Sequence, residues 1–340
     1  MNIPFFRAPQ IVQSIIVNLV EPNELICLTQ CSKRTYNLVK TYWKTSEDVG
    51  IEVADFENVV KVYFDGEESC RLGLDSNYGR RDLERDYPPK NLFGADFRLS
   101  LFMSGEWNLE WNDPTKDGVL TLIDWTTDLF RADVGSLFIS KDYFHRLKWV
   151  ESRQEHINEL YLSGGEYSEE EIRCVVLSKA DNLLLNSFRP NFTYPGILPN
   201  RTSFVSGRGF LFTPNHLMTS DYVNLSVRES TVTNVDLNQF LKHWLAGGCS
   251  RLKTLILGIN ENDLNEITRG IEGIIPNRDP ETEVYWTILG RELTFKNRVY
   301  LRRSDGVIAT CGIINHRYTA NEFVLAVWPD AKNNACLIDN

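Results

Sequence analysis

The sequence predicts an α+β protein in which three short N-terminal helices precede an irregular strand–helix domain that ends in an antiparallel meander. Three observations carry this prediction. Apolar residues recur at helical spacing before residue 45, short apolar strands alternate with helical stretches from about Val119, and strand-like segments joined by tight turns follow Asp263. A chain of 340 residues is long enough for one small module and one large domain.

The first helix is expected from Pro9 onward, because proline is tolerated in the first turn, where its missing N–H costs nothing. Apolar residues then form two adjoining stripes, Ile11, Ile15 and Leu19 at spacing four and Val12 and Ile16 beside them. This spacing is that of an amphipathic helix of about three turns.

Two further helices are expected before residue 45. Asn23 is a good cap for the second, and Ser32 for the third. Their apolar faces contain Leu25, Leu28 and Cys31 in the second helix and Tyr36, Val39 and Tyr42 in the third. Helices this short bury little apolar surface. Either they cap the rest of the chain, or they form a docking module whose spare apolar surface fits a partner's groove.

Short strands replace helices after residue 50. The segment Val59 to Phe64 alternates as a strand does, and FRLSLFM and EWNLEW are expected to form a hairpin around Ser104 and Gly105. Between them, the Gly-, Asp-, Arg- and Pro-rich segment DSNYGRRDLERDYPPKN is expected to be an exposed loop.

From Val119 the strands alternate with helices. Strands are expected around the residues Phe138, Tyr161, Leu184, Val205, Asn224 and Ile256. The first three lie about 23 residues apart, a spacing typical of leucine-rich-repeat-like units. One helix is expected after its cap Ser168, and another from Asp236 to the glycines that follow Leu245. Units of this kind are stable only when stacked, and stacking leaves an extended surface for a partner.

Composition limits the classes of function. The net charge is −10 and no basic stripe is present, so a nucleic-acid partner is not expected. No apolar stretch has the length of a membrane span, and the N-terminus does not resemble a signal peptide. The seven cysteines form no C-x-x-C pair, and the five histidines show no ligand spacing. We therefore expect an intracellular protein of cytoplasm or nucleus, without metal, cofactor or catalytic residues.

The stretch PFFRAPQIVQSIIVNLVEPNELICLTQCSKRTYNLVK resembles an F-box. Pro4, Phe5 and Phe6 stand at its leading apolar positions, Ala8-Pro9 where it usually has Leu-Pro, and residues 31–34 at its CSKR junction. The resemblance implies docking on the Skp adaptor of an SCF-type cullin–RING ubiquitin ligase. The residues expected at that interface are Pro4, Phe5, Pro9, Ile11, Val12, Ile15, Ile16, Leu19, Leu25, Leu28, Lys33 and Arg34.

Roughly the last 120 residues resemble the type 2 F-box-associated domain of a family expanded in nematodes. Its LNxFLKxWxxG core is matched by Asn238, Phe240, Leu241, Lys242, Trp244 and Gly248, and its RxDG turn by Arg303, Asp305 and Gly306. The resemblance implies recruitment of a protein substrate, whose identity and contact residues stay open. The expected division is an F-box at 1–45, a recognition domain at 50–330 and a tail at 331–340. The alternative is a repeat-type protein-interaction scaffold outside the ubiquitin system.

Overall fold

The computed structural model describes residues 5–44, 49–74, 83–86, 90–92, 95–102, 106–111, 117–186, 193–209, 212–260, 263–276, 282–314 and 321–336. These residues form two compact units, Met1–Asn158 and Glu159–Asn340. Each unit combines helices with a sheet, so the α+β class predicted from the sequence is confirmed.

The first unit begins with three helices and continues mainly as strands. Its helices are α1 (Gln10–Leu19), α2 (Pro22–Cys31), α3 (Lys33–Tyr42), α4 (Gly118–Phe130) and α5 (His145–Glu151). Its strands are β1 (Val49–Ala54), β2 (Val59–Phe64), β3 (Glu67–Leu74), β4 (Leu83–Asp86), β5 (Lys90–Leu92), β6 (Ala95–Phe102), β7 (Trp107–Trp111) and β8 (Val134–Ser140).

The sheet of the first unit runs in the order β8, β1, β2, β3, β7, β6, with the short β4 and β5 both paired to β6. The pairs β1–β8 and β3–β7 are parallel, and the other pairs are antiparallel. The antiparallel pairing of β6 with β7 predicted from the sequence is confirmed, and the turn expected at Ser104 and Gly105 lies outside the described residues. The loop expected over residues 75–91 is wrong in part, because residues 83–86 and 90–92 form strands that pair with β6.

The three N-terminal helices follow the predicted order, with one shifted boundary. Ser32 caps α3 through a reciprocal capping box with Thr35. The expectation that Asn23 caps α2 is wrong, since α2 begins at Pro22 with Glu21 at the cap position. Asn23 lies inside the helix, and its side-chain oxygen accepts a 2.6 Å hydrogen bond from the indole N–H of Trp107 on β7.

A buried ionic cluster joins the strands of the first unit to α4 and α5. Arg146 on α5 donates to Asp55, just after β1, and to Asp117, which caps α4. Burial raises the pKa of Asp55 to about 6, although Arg146 opposes the shift. Burial also acts to raise the pKa of Asp117, but hydrogen bonds from Arg146 and His145 lower it overall. This cluster joins α4 and α5 to the end of β1.

The second unit takes most of β9 (Ile157–Ser163) and continues to the C-terminus. Its helices are α6 (Glu169–Val176), α7 (Pro214–Thr219), α8 (Asn234–Leu245) and α9 (Leu264–Ile267). Its remaining strands are β10 (Ala180–Leu185), β11 (Ser203–Ser206), β12 (Asn224–Val227), β13 (Thr254–Gly258), β14 (Ile274–Pro276), β15 (Glu283–Trp286), β16 (Glu292–Phe295), β17 (Arg298–Arg302), β18 (Ile308–Ile314) and β19 (Glu322–Val327).

Strands β10 to β13 form a parallel ladder, and helices α7 and α8 connect its last three strands. One face of this ladder is core: the in-register residues Leu183, Phe204, Leu225 and Leu255 are all buried. Ser168 caps α6 as predicted. Helix α8 starts two residues earlier than expected, because Thr233 is the cap and Asp236 completes its capping box from inside the helix.

The ladder continues into an antiparallel meander of β13, β19, β18, β17 and β14. The predicted meander is confirmed, although β15 and β16 leave it and form a separate hairpin. That hairpin places Tyr285 and Leu293 in one buried cluster with Ile256 and Val324. In the tail expected from residue 331, residues 331–335 are exposed, whereas Cys336 is fully buried in the same cluster.

Candidate docking and recognition surfaces

Helix α1 exposes one continuous apolar face. Ile11, Ile15 and Leu19 are 70%, 54% and 79% exposed, and Val12 and Ile16 are 38% and 37% exposed. We call these five residues the open face. Contiguous apolar side chains of this kind are uncommon on a water-facing surface and mark sites of interaction.

The opposite side of α1 is fixed to its own unit. Val17 is fully buried, and Gln13 donates a 3.0 Å hydrogen bond to the carbonyl of Ala8. The Asn18 amide donates to the carbonyl of Tyr42 at 2.8 Å and accepts from the backbone N–H of Lys44 at 3.0 Å. These bonds join α1 to the end of α3. The helix therefore cannot turn to bury the open face without breaking them.

Helices α2 and α3 are in turn held against the rest of the first unit. The Lys40 ammonium lies 2.6 Å from the carboxylate of Asp128 on α4, and the Trp43 indole donates to the carbonyl of Phe130. The Tyr36 hydroxyl also donates to Asp128. Burial and that carboxylate raise the pKa of Tyr36 to about 12. The open face thus belongs to a group of helices that an ion pair and hydrogen bonds hold to α4.

The remaining residues expected at the adaptor interface divide into three groups. Pro9, Lys33 and Arg34 are exposed, and the Arg34 guanidinium stacks 4.3 Å from the centre of the Phe6 ring. Phe5 and Leu28 are half-buried. Leu25 is fully buried, so its side chain supports the helices from within. Pro4 lies outside the described residues.

The second candidate surface is a groove on the ladder face opposite the core. Its floor is a row of in-register side chains on β10, β11 and β12, namely Leu184, Val205 and Ser226. One wall is the turn between β15 and β16, which contributes Thr287, Leu289 and Arg291. Asn186, Gly207 and Arg228 lie at the carboxyl ends of the same strands. The groove has a volume of about 280 Å³.

The chain itself covers the continuation of this row. Ile256 on β13 and Val324 on β19 stand in register with Ser226, and both are buried beneath the β15–β16 hairpin. By contrast, Leu184 and Val205 are only half-buried. The groove is therefore the uncovered part of a sheet face whose other part is core.

Hydrogen bonds hold the wall of the groove in place. Within the turn, the backbone N–H of Thr287 donates to the carbonyl of Arg291, and the backbone N–H of Arg291 donates to the Thr287 hydroxyl, each at 2.9 Å. Gly290 takes a left-handed conformation, with φ of +75°, that a side chain would disfavour. The end of β15, directly before the turn, is held by Asp330, which accepts a hydrogen bond from the backbone N–H of Trp286 at 3.1 Å. Leu289 projects from this fixed turn and is 50% exposed.

Two arginines give the groove its charge. Arg291 donates to the Glu322 carboxylate at 2.6 Å, and the Arg228 Nε lies 3.7 Å from the other oxygen of the same carboxylate. Glu322 is buried, whereas Arg228 is largely exposed. Two positive charges thus face one negative charge, which leaves a local excess of one positive charge.

His216 and the carboxylates of Asp124 and Asp128 make contacts that support the fold. His216 is buried between the backbone N–H of Thr213 and the carbonyl of Gly196, and burial lowers its pKa. Asp124 and Asp128 on α4 do not form a pair, because Asp124 binds Arg153 and Asp128 binds Lys40. Across the described residues, no three His, Cys, Asp or Glu side chains come together in a group that would hold a metal ion.

None of the helices in the described part of the chain has the length and apolar character that a membrane crossing requires.

A protein-family model described as F-box associated matches residues 194–257. The match runs from the loop before β11 to β13 and contains three of the four strands of the ladder, with α7 and α8. It includes the LNxFLKxWxxG residues from Asn238 to Gly248, whereas the RxDG turn at residues 303–306 lies beyond it. No curated protein and no solved structure matches the chain. This part of the chain is therefore similar to F-box-associated domains, which points to a protein-binding role.

Proposed function

We propose that the chain is a substrate-recognition adaptor of an SCF-type cullin–RING ubiquitin ligase. Its α1–α3 segment docks on the Skp adaptor, and its second unit binds a protein substrate through a leucine-rich-repeat-like surface. The chain does no chemistry itself. It bridges two proteins, so that lysines of the substrate reach a high local concentration near the ubiquitin-charged enzyme.

The observation that carries the proposal is the open face of α1. Its residues lie at helical spacing, as required for a helix that enters an apolar groove. Full burial of a fully exposed Val, Leu or Ile side chain contributes about 1.5–3 kcal/mol. Further burial of these five partly exposed residues in a partner's groove would therefore favour binding. The F-box-associated similarity of residues 194–257 supports the same function, because it indicates the type of domain that accompanies a docking module of this kind.

The decisive experiment is capture of purified Skp adaptor by the full-length chain and by its Ile15→Asp variant. The substitution places an unpaired charge in a dry interface at a cost of several kcal/mol. We expect adaptor binding to weaken at least about a hundredfold. Leu177→Asp is the matched control, because Leu177 is 58% exposed but lies on the second unit, and this variant should bind as the unchanged chain does.

Circular dichroism of both variants must show an intact fold. Undiminished binding by Ile15→Asp would remove the docking assignment. The alternative, a protein-interaction scaffold outside the ubiquitin system, predicts that neither the Skp adaptor nor a cullin co-purifies with the unchanged chain.

A further inference from the structure

We infer that the groove of the second unit binds an extended, anionic segment of a protein partner. An apolar side chain of that segment packs against Leu184, Val205 and Leu289, and a neighbouring carboxylate or phosphate faces Arg228 and Arg291. The inference deepens the proposed function. It rests on that function for the type of ligand, a protein, and on the groove itself for the chemistry of recognition.

The size of the groove favours side chains over a compact small molecule. Sites for drug-sized ligands and cofactors enclose about 300–1,000 Å³. A groove of about 280 Å³ lies just below that range and suits one or two side chains of a peptide. The peptide backbone then lies across the ends of β10, β11 and β12.

The charge of the groove selects the sign of the ligand. Arg228 and Arg291 are the charged residues among the described residues that line it, in a chain whose net charge is −10. Glu322 balances one of the two positive charges from beneath. The remaining charge is best satisfied by an anion, because a guanidinium binds carboxylate and phosphate oxygens through paired N–H groups.

The neighbouring part of the sheet shows how the groove is filled. In the chain itself, an extended segment, β15, places Tyr285 against the same face, over Ile256 and Val324. The cover stops at the turn that carries Leu289, and the row continues uncovered to Val205 and Leu184. An incoming extended segment would continue the cover that the hairpin begins.

The test measures binding of fluorescein-labelled peptides to the full-length chain by fluorescence anisotropy. In the probe peptides, leucine alternates with glutamate, phosphoserine, glutamine or lysine. We expect the glutamate or phosphoserine peptide to bind at least about tenfold more tightly than the glutamine peptide, because hydrogen bonds between a guanidinium and an anion are stronger than those to a neutral amide. The lysine peptide should bind most weakly. Comparison of the first two peptides tells whether the anion is a carboxylate or a phosphate.

Two variants test the two halves of the groove. Arg228→Gln removes the excess charge and leaves Arg291 paired with Glu322. It should weaken the binding of the anionic peptides about tenfold and leave the affinity of the glutamine peptide unchanged. Leu289→Ser should lower the affinity of all leucine-containing peptides by the same factor. The matched controls are Lys296→Gln and Ile197→Ser, because both residues are exposed on the second unit outside the groove.

Three outcomes would overturn the inference: no binding of either anionic peptide at millimolar concentration, equal binding of the lysine peptide, or unchanged affinity in Arg228→Gln. A fourth is a change of oligomeric state in Arg228→Gln, which would assign the groove to a second copy of the chain. Capture of the Skp adaptor is measured on the same samples. Loss of peptide binding with intact adaptor capture would contradict only the inference that the groove binds an anionic segment. Loss of adaptor capture with intact peptide binding would contradict only the ligase function.

Discussion

Helices α1 and α8 have the same apolar spacing but opposite surroundings. In α8, the apolar residues Leu237, Phe240, Leu241 and Trp244 are at most 1% exposed. In α1, the residues at equivalent spacing form the open face and are 37–79% exposed. An amphipathic pattern therefore predicts that a helix has an apolar face, but it does not tell whether the chain itself or another molecule covers that face.

The two helices also differ in the caps and charged residues at their ends. Helix α8 begins with a capping box between Thr233 and Asp236 and carries Lys242 and His243 in its last turn, where positive charge suits the helix dipole. Helix α1 begins at Gln10, with Pro9 at the cap position and no side-chain cap, and has no charged residue in its first or last turn. The sequence of α8 stabilises the helix within its unit, whereas the sequence of α1 keeps a charge-free surface.

The largest effect is expected for Phe240→Ala in α8. Removal of a fully buried phenylalanine costs about 3–5 kcal/mol. Because the chain has two units, we would measure the local free energy of opening by hydrogen exchange of the β12 and β13 amides. Val235→Ala is the control in the same helix, since Val235 is 55% exposed and should change that free energy little. An equal loss of opening free energy in both variants would contradict the burial of Phe240 in α8.

The elements themselves follow closely from the sequence. Ser32 and Ser168 each begin a helix and form capping boxes with Thr35 and Glu171, because capping depends on residues that are only three positions apart. The shifted start of α2 shows where local reasoning fails. Asn23 has the chemistry of a cap, but its side chain binds Trp107, which is 84 residues away. Such long-range partners leave no trace in local spacing.

A smaller effect is expected for the cap of α8. Thr233→Ala removes the side-chain oxygen that accepts from the backbone N–H of Asp236, at a cost of about 1 kcal/mol. Thr233→Ser keeps the hydroxyl and should retain most of the stability. Hydrogen exchange of the α8 amides would measure both. If Thr233→Ser destabilised α8 as much as Thr233→Ala, the loss of stability would not come from the missing cap.

The two candidate surfaces differ in how far the sequence could reveal them. The open face of α1 could be predicted, because all five of its residues lie within nine positions of one helix. The groove could not. Leu184, Val205 and Ser226 meet only through strand register, and Leu289 and Arg291 reach them from a hairpin more than 60 residues beyond Ser226. Regular strand spacing signals such a surface, but it does not identify the residues.

The smallest effect on stability is expected for Leu19→Ala at the end of α1. Leu19 is 79% exposed, so its truncation should change the free energy of unfolding by less than about 0.5 kcal/mol. Leu241→Ala, at a fully buried leucine of α8, is the matched substitution and should cost about 2–5 kcal/mol. Hydrogen exchange of amides in α1 and α8 would measure the change in free energy for each of the two variants. A loss above about 1 kcal/mol for Leu19→Ala would mean that the chain in solution covers the open face itself, because truncation of an exposed leucine removes no packed contact. A surface already covered in that way would have no apolar area left for an adaptor.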